Sequence, residues 1–418
     1  MRFHIFRDFI ISNISTMRKR LRFVCLWYLI SLMVETRKHS LTFASGLSGI
    51  SKSAFSKFLM NNKDVIKLTL EDLSKRQARI YSKALKKIQS LPWRVAILID
   101  STIQSRSSLK SENVQRFNHG QGFVVGHQWT NIILFFNGII IPLPPIPFLT
   151  RKFCKDKKLT YMTEHDRVTE YLNQLNLIEY IGHHRDSDVV VLTDSGYDCE
   201  KIQNVILEKG WNFITALKSS RGVKSEAKYA KTTRSRNWDG VAIFFKKYRK
   251  LAWETVRILT DGPKTGRKEF RVRHAEVFLK NVGKIRAVCS EFRKKRDGRR
   301  KHIACSDLMA TPCQILTAFR IRWKIEIFHK HVKMHLGFGH VAAKHFSSVE
   351  SHVHLVYCAY LLLNADLPGV GKVGTVIEKQ RKVGAVLENR EKAHIIHELT
   401  KIGGAERYKN ELKSALAA

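Results

Sequence analysis

Trp93 to Asp100 reads WRVAILID, and Asp188 to Asp194 reads DVVVLTD. Each holds a short apolar run, VAILI or VVVLT, that closes on an aspartate. Runs of this length, rich in β-branched residues and bounded by turn formers, are the pattern of strands buried on both faces. Both predict inner strands of a sheet. Both also put a carboxylate at a strand's carboxyl end, where ligands of α/β sheets collect. An ionised carboxylate there is costly unless a cation neutralises it. Mg²⁺ suits such hard oxygen ligands. The plainer reading makes each aspartate a turn cap, since Ser101-Thr102 and Ser195-Gly196 follow them. Two aspartates in one context bring the metal reading level with the turn-cap one.

Working outward, GFVVGHQWTNIILFF (Gly122 to Phe136) and GIIIPLPP (Gly138 to Pro145) are two further β-rich runs, with Asn137-Gly138 as a hairpin turn. Glu164 to Ile181 is patterned as an amphipathic helix, Cys199 to Lys209 as another, and WNFITALK (Trp211 to Lys218) as a strand. Three hairpin-like strands followed by helix, strand, helix and strand predict a mixed α/β sheet over 91–218. Residues 219–305 are rich in Lys and Arg and hold the strand candidates VAIFFKKY, TVRIL, FRVRHAEVFL and KIRAVCSEF, which predicts an inserted β-rich subdomain. The run Arg293 to His302, RKKRDGRRKH, reads as its solvated hairpin tip. Thr311 as N-cap and Pro312 at the first helical position start one long helix that runs to about Leu336, where Gly337 stops it. A second apolar helix over about Val349 to Ala365 completes the core within 306–368, and 369–418 is a charged helical tail.

Residues 1–90 read as helical, with Leu68, Leu70, Leu73, Ile80, Leu85 and Ile88 at three- to four-residue steps. Within them LSGISKSAFSKFLMN (Leu47 to Asn61) fits a helix-turn-helix whose second helix enters a major groove, with Ser51 and Ser53 as N-caps. It also fits an ordinary helical hairpin; Phe55, Phe58 and Leu59 are core in either case.

Lys and Arg total 74 against 36 Asp and Glu, a formal net charge of +38. That excess repels itself in a compact state and calls for a polyanion, first of all nucleic acid. A membrane fits poorly. The longest apolar run, Phe23 to Val34, has about 12 residues, short of the roughly 20 a spanning helix needs, and reads as a buried helix. No cleavable leader precedes it, which predicts an intracellular protein. The seven cysteines form no C-x-x-C pair, so neither a disulfide framework nor a zinc ribbon is expected.

The third acid lies in AFRIRWKIEIFHKHVK, Ala318 to Lys333. Arg322, Glu326 and Lys333 share one helical face, with Phe319 on the same side, while Trp323, Ile325 and Phe328 are expected to pack inward. Taken alone, Arg322 and Glu326 are an ordinary i,i+4 ion pair. The stretch is rich in histidine (His329, His331, His335, His340, then His345, His352 and His354). His331 and His335 share a face, but spacing supplies no third ligand. His119 and His127 follow the first strand and are placed to approach a metal. Asp188 and Asp198 are rival acids, Asp198 fitting better as an N-cap.

The pattern R-W-x-I-E-x-F followed by Lys resembles the Tyr–Arg–Glu–Lys signature of a large class of bacterial insertion-sequence transposases of the Asp-Asp-Glu type. Arg322, Glu326 and Lys333 match its spacing; Phe319 stands where that class has Tyr, which keeps the ring and loses a hydroxyl. LIDST (Leu98 to Thr102) and LTDSGYD (Leu192 to Asp198) resemble its first- and second-aspartate motifs. The β-rich insertion before the glutamate is similar in placement. The resemblance covers roughly 93–365, with only a general similarity in the first 90 residues.

The resemblance implies a ribonuclease-H-like mixed sheet flanked by helices and a cut-and-paste reaction on DNA. It implies two divalent metal ions, Mg²⁺ with Mn²⁺ as a substitute, bridged by Asp100, with Asp194 and Glu326 each completing one site. Arg322 and Lys333 would bind phosphates of the element end, and Phe319 would contact the DNA through its ring alone. Trp238 and Trp253, in the basic insertion, fit either a stack on a flipped base or an ordinary core position. Partners would be double-stranded DNA, as element ends and target, and a second copy of the chain. No membrane is implied, and the location would be a prokaryotic cytoplasm, at the nucleoid. The rival readings are a metal-dependent nuclease that cuts without joining, and an inactive DNA-binding remnant.

Overall fold

The two buried runs form neighbouring strands. The computed structural model describes residues 3–89, 91–107, 109–120, 122–225, 238–248, 251–260, 266–292 and 300–401. Thirteen described strands belong to one sheet: β1 Val95–Ser105, β2 Gln115–His119, β3 Gly122–Phe136, β4 Ile139–Pro142, β5 Ile146–Pro147, β6 Val189–Thr193, β7 Asn212–Ala216, β8 Gly222–Ser225, β9 Asp239–Gly240, β10 Glu254–Thr260, β11 Gly266–Leu279, β12 Gly283–Phe292 and β13 Arg300–Cys305. Their order is β2-β3-β1-β6-β7-β13-β12-β11-β8-β9, with β4 and β5 on β3 and β10 on β11.

β1 is antiparallel to β3 along its length, from Ala96 opposite Phe135 to Ser105 opposite Gly126. It is parallel to β6 only from Val95 to Ile99. Asp100 therefore does not end its strand; it stands where the β6 partner gives out. Ala96 to Ile99 and Val189 to Leu192 are essentially without exposure, as double-sided burial requires. Asn137 and Gly138 both have positive φ, 49° and 78°, and close a two-residue hairpin between Phe136 and Ile139. Asn137 adds a clamp: its side-chain amide donates to the Tyr81 and Ala84 carbonyls, and its Oδ1 accepts from Lys86 N–H.

The basic stretch after Lys218 prolongs this same sheet, because β13 is antiparallel to β7 with Ile303 opposite Ala216 and Cys305 opposite Ile214. VAIFFKKY departs from its expected strand: Val241–Lys247 is a helix. Val241, Phe244 and Phe245 are buried while Ile243 is half exposed, which is helical rather than alternating spacing. Most of the expected hairpin tip, 293–299, and the end of the tail, 402–418, lie outside the described residues.

The single long helix expected from Thr311 is two, Pro312–Ile321 and Trp323–Met334. The first is capped as predicted, with a reciprocal Thr311–Gln314 box. At Arg322 the backbone tightens to an i→i+3 bond, Ile325 N–H to the Arg322 carbonyl. Ile325 and Phe328 are buried as expected, but Trp323, about 200° of helical turn from Ile325, is 61% exposed.

Packing gathers the chain into two units, 75–107 with 113–329, and 1–74 with 108–112 and 330–418. This differs from the expected division into five stretches. The cause is Phe346–Asn364, which is buried almost all round. It packs on Lys19–Met33 and Lys52–Asn61, so it joins the N-terminal helices rather than completing the sheet unit. Leu41–Ser48 and Lys52–Asn61 form the expected hairpin around Gly49 (φ 75°), with Ser51 accepting from Ala54 N–H and with Phe55, Phe58 and Leu59 buried. The apolar run Phe23 to Val34 falls mostly in Lys19–Met33, whose residues from Cys25 onward are buried. No described helix is long and apolar enough to cross a membrane.

In this second unit Gly337 has φ 68°, and a Cβ there would stand 2.7 Å from the His39 ring. Gly337→Ala is expected to cost about 2–4 kcal/mol through strain and overpacking. Thermal unfolding of the variant measures it, and an unchanged midpoint would show that the turn yields freely.

Candidate active site

The parallel pairing places Ile99 beside Thr193, so Asp100 and Asp194 follow side by side at the site. Each aspartate spends one oxygen on its own turn: Asp100 Oδ1 accepts Ser101 N–H at 2.9 Å, and Asp194 Oδ1 accepts Gly196 N–H at 2.8 Å. The turn-cap role is thus real, and it fixes the carboxylates rather than replacing another use. The other Asp100 oxygen faces Arg322, whose Nη1 lies 3.4 Å away and 3.5 Å from Glu326 Oε1. Arg322 leans on the Phe319 ring at 5.9 Å, and Lys301 reaches the same ring at 5.8 Å.

One guanidinium does not balance these acids. Burial, then the charge of Asp194, and also that of Glu326, push the Asp100 carboxyl up to about 7, against the opposing pull of Arg322 and Ser101 N–H. A site with this crowding is relieved by a cation.

The structure also brings in His329, one turn beyond Glu326. Ligand atoms of Asp100, Glu326 and His329 lie within 4.8 Å of one another, the one such cluster among the described residues. His329 is buried, and its Nε2 is 2.8 Å from Asn131 Nδ2. Asn131 stands directly opposite Asp100 in the β1–β3 register. The donor set of carboxylates with one oriented imidazole fits a divalent cation. Asp194 enters through its charge rather than through this cluster. His331 and His335 sit with rings 6.2 Å apart and no third ligand among the described residues.

Glu164, in the first turn of Glu164–Gln174, anchors the loop behind Asp194. Its Oε1 accepts from the Tyr197 hydroxyl and the Thr130 hydroxyl, each at 2.7 Å, and its Oε2 from Gln128 Nε2 at 2.8 Å. Burial, then the Glu164 charge, raise the Tyr197 phenol well above its ordinary range, so it stays a donor. Asp198 is not the expected N-cap. That position is Cys199, and Asp198 is buried, accepting from Lys218 N–H and Gln203 Nε2 beside Arg221.

A cavity of about 520 Å³ opens beside Arg322, lined among others by Lys268, Phe270, Lys301, Phe319, Arg320 and Lys324. Lys333 is exposed, farther along the glutamate helix. Trp253 lies under three guanidiniums, those of Arg273 (4.3 Å), Arg271 (4.9 Å) and Arg300 (5.4 Å). Trp238 is 44% exposed, next to Gly222. His127 is buried against Arg106 Nε at 3.3 Å, and the His119 side chain lies outside the described residues.

Of these residues, His329, Asn131 and Glu164 went unread as site residues in the sequence. Glu-x-x-His on one helical face was a usable signal for His329. Nothing local marks Asn131 or Glu164, whose parts come from strand register and tertiary packing.

Residues 159–362, just under half the chain, match the family model described as a transposase DDE domain. The match spans Asp194 and Glu326 and begins after Asp100. It supports a DDE transposase, an enzyme that acts on DNA and uses divalent metal. No curated protein matches the chain.

Below about pH 7 a metal must displace the Asp100 proton. Mn²⁺ affinity is therefore expected to climb as pH rises toward about 7, by up to about tenfold per unit, and then to level off. Calorimetric titration across that range tests it; a flat profile, or one that Asp100→Asn leaves unaltered, would be the wrong answer.

Proposed function

We propose that the chain is a cut-and-paste transposase of the insertion-sequence class with the Tyr–Arg–Glu–Lys signature, with a ribonuclease-H-like core and two Mg²⁺ ions held by Asp100, Asp194 and Glu326. The observation that carries this reading is the Asp100 carboxyl, raised by burial, then by Asp194 and also by Glu326, and faced by a single Arg322, within a sheet whose glutamate helix falls inside the DDE-domain match. The antiparallel strands β1, β3 and β4, followed by the helix Glu164–Gln174, β6, the helix Glu200–Glu208 and β7, support the core assignment.

On this reading Asp100, Asp194 and Glu326 would hold the divalent metal. Divalent metal supplies the positive charge that stabilises an in-line phosphoryl displacement. Asn131 holds the His329 ring in place. Glu164 and Tyr197 hold the turn that aims Asp194. Arg322 has a double use. Without metal it neutralises Asp100 and Glu326; once they are neutralised, its planar fork is free for a phosphate. Phe319, which lacks the hydroxyl of the signature Tyr, serves as the ring on which that fork lies. Lys268, Lys301 and Lys324 give the cavity a cationic wall for the strand being cut, and Lys333 extends the charge along the helix. Water opens the phosphodiester at the element end and leaves a 3′-hydroxyl, which then attacks the target strand by the same displacement. Trp238 is exposed and can take an unstacked base; Trp253 already carries guanidiniums on its ring. Lys52–Asn61, with Lys52, Ser53, Ser56 and Lys57 exposed and its apolar side buried, suits a groove-reading helix. A second copy of the chain, needed to join two ends, and a place at a prokaryotic nucleoid follow from the same reading.

Purified protein is to be incubated with Mg²⁺ or Mn²⁺ and DNA carrying the flanking ends of its own gene. Metal-dependent nicking and joining is expected, with Asp194→Ala and Glu326→Gln each losing more than about 100-fold, beyond the loss typical of groups that only orient a ligand. Cleavage without joining would point to a nuclease. Tight binding with no breakage under any metal would point to an inactive remnant.

A further inference from the structure

The sheet around β11 has two unlike faces. In an antiparallel pair, residues directly opposite share a face, and successive residues alternate. Phe270, Ser290 and Lys301 are on the face that lines the cavity beside Arg322. Arg271 lies opposite Glu291, and Glu291 opposite Arg300; Arg273 is two residues along, opposite Cys289. These belong to the other face, turned away from that cavity.

On this second face three guanidiniums gather over one indole, with Arg273, Arg271 and Arg300 at 4.3, 4.9 and 5.4 Å from the Trp253 ring. Glu291 is the carboxylate among them, 3.2 Å from Arg271 Nη1 and 3.2 Å from Arg300 Nε. Among the described residues, three positive groups thus share one negative partner. Arg273 shows the consequence: burial, then the charges of Arg300 and Arg271, lower its pKa. Its Nη1 reaches the Phe245 carbonyl at 3.5 Å, and its Nε has no hydrogen-bond partner among the described residues. Guanidiniums laid on a ring are already ordered, so they lose less freedom on gripping a planar anion edge.

We propose that this face is a second phosphate-binding surface, on which Arg271, Arg273 and Arg300, stacked on Trp253, hold the backbone of duplex DNA away from the catalytic cavity. Because the sheet separates it from the cavity, this surface engages a different length of DNA from the one being cut. Interactions of this kind are with phosphates, so they position the duplex without reading its sequence.

The test is binding of the full chain to a labelled duplex of about 30 base pairs of arbitrary sequence, followed by anisotropy as salt is raised. Arg273→Gln and Arg300→Gln together are expected to weaken binding about tenfold near 0.1 M salt. They are also expected to reduce the slope of log affinity against log salt by about two, near one for each phosphate that is no longer neutralised. Removing Lys155 and Lys158, exposed on another part of the unit, by Lys→Gln is expected to leave the slope unaltered. If the double variant melts early, each single substitution is measured alone, with a slope change of about one. An unchanged slope in correctly folded variants overturns the proposal, as does a wild-type chain that ignores duplex DNA or prefers an acidic protein. The assay needs no cleavage. A chain that never cuts but shows the slope change keeps this surface and loses the transposase reading, and a chain that cuts with the slope unchanged does the reverse.

Discussion

The parallel ladder between β1 and β6 stops at Ile99 and Thr193, and the site exists because it stops there. Up to that point both strands are buried on each side and hold apolar groups, save Thr193, whose hydroxyl donates to that of Thr215. One residue later β6 leaves the sheet for a turn, so space opens next to β1 without exposing the core beneath. Asp100 and Asp194 enter that space together. Their repulsion is accepted because strong burial of VAILI and VVVLT fixes the register, and a one-residue slip would turn the apolar set outward. The charge conflict at Asp100 is therefore held in place by hydrophobic packing far larger than itself.

The supporting groups approach from three other directions. β3 contributes Asn131 because it pairs with β1 beyond the point where β6 does. The helix after the hairpins contributes Glu164, which secures Tyr197 and with it the turn at Asp194. The break at Arg322 lets one residue meet both Asp100 and Glu326.

How far the sequence discloses this depends on range. Runs of apolar residues, the Asn137-Gly138 turn and the Thr311 cap are local, and each is where periodicity or capping chemistry puts it. The two aspartates and the glutamate are legible because each ends or occupies a patterned element. The helix break is not, since a helical wheel assumes an unbroken ladder. VAIFFKKY misleads for a related reason: β-branched and aromatic residues favour strands on average, yet Val241, Phe244 and Phe245 find their burial at helical spacing. The grouping of Phe346–Asn364 with the N-terminal helices rests on packing between segments hundreds of residues apart, which no local pattern encodes.

The pairing of β7 with β13 has a consequence for how the chain is made. β7 emerges from the ribosome long before β13, and until then its outer edge has unpaired N–H and C=O groups. The whole basic stretch has to be synthesised before the gap beside β7 is closed by its proper neighbour. During that interval the nascent sheet is a template for any extended segment, including one from another copy. The density of Lys and Arg between β7 and β13 acts on that hazard directly, because like charges keep neighbouring nascent chains apart while the edge waits. The same cations that suit the finished protein to a polyanion thus guard a late strand pairing.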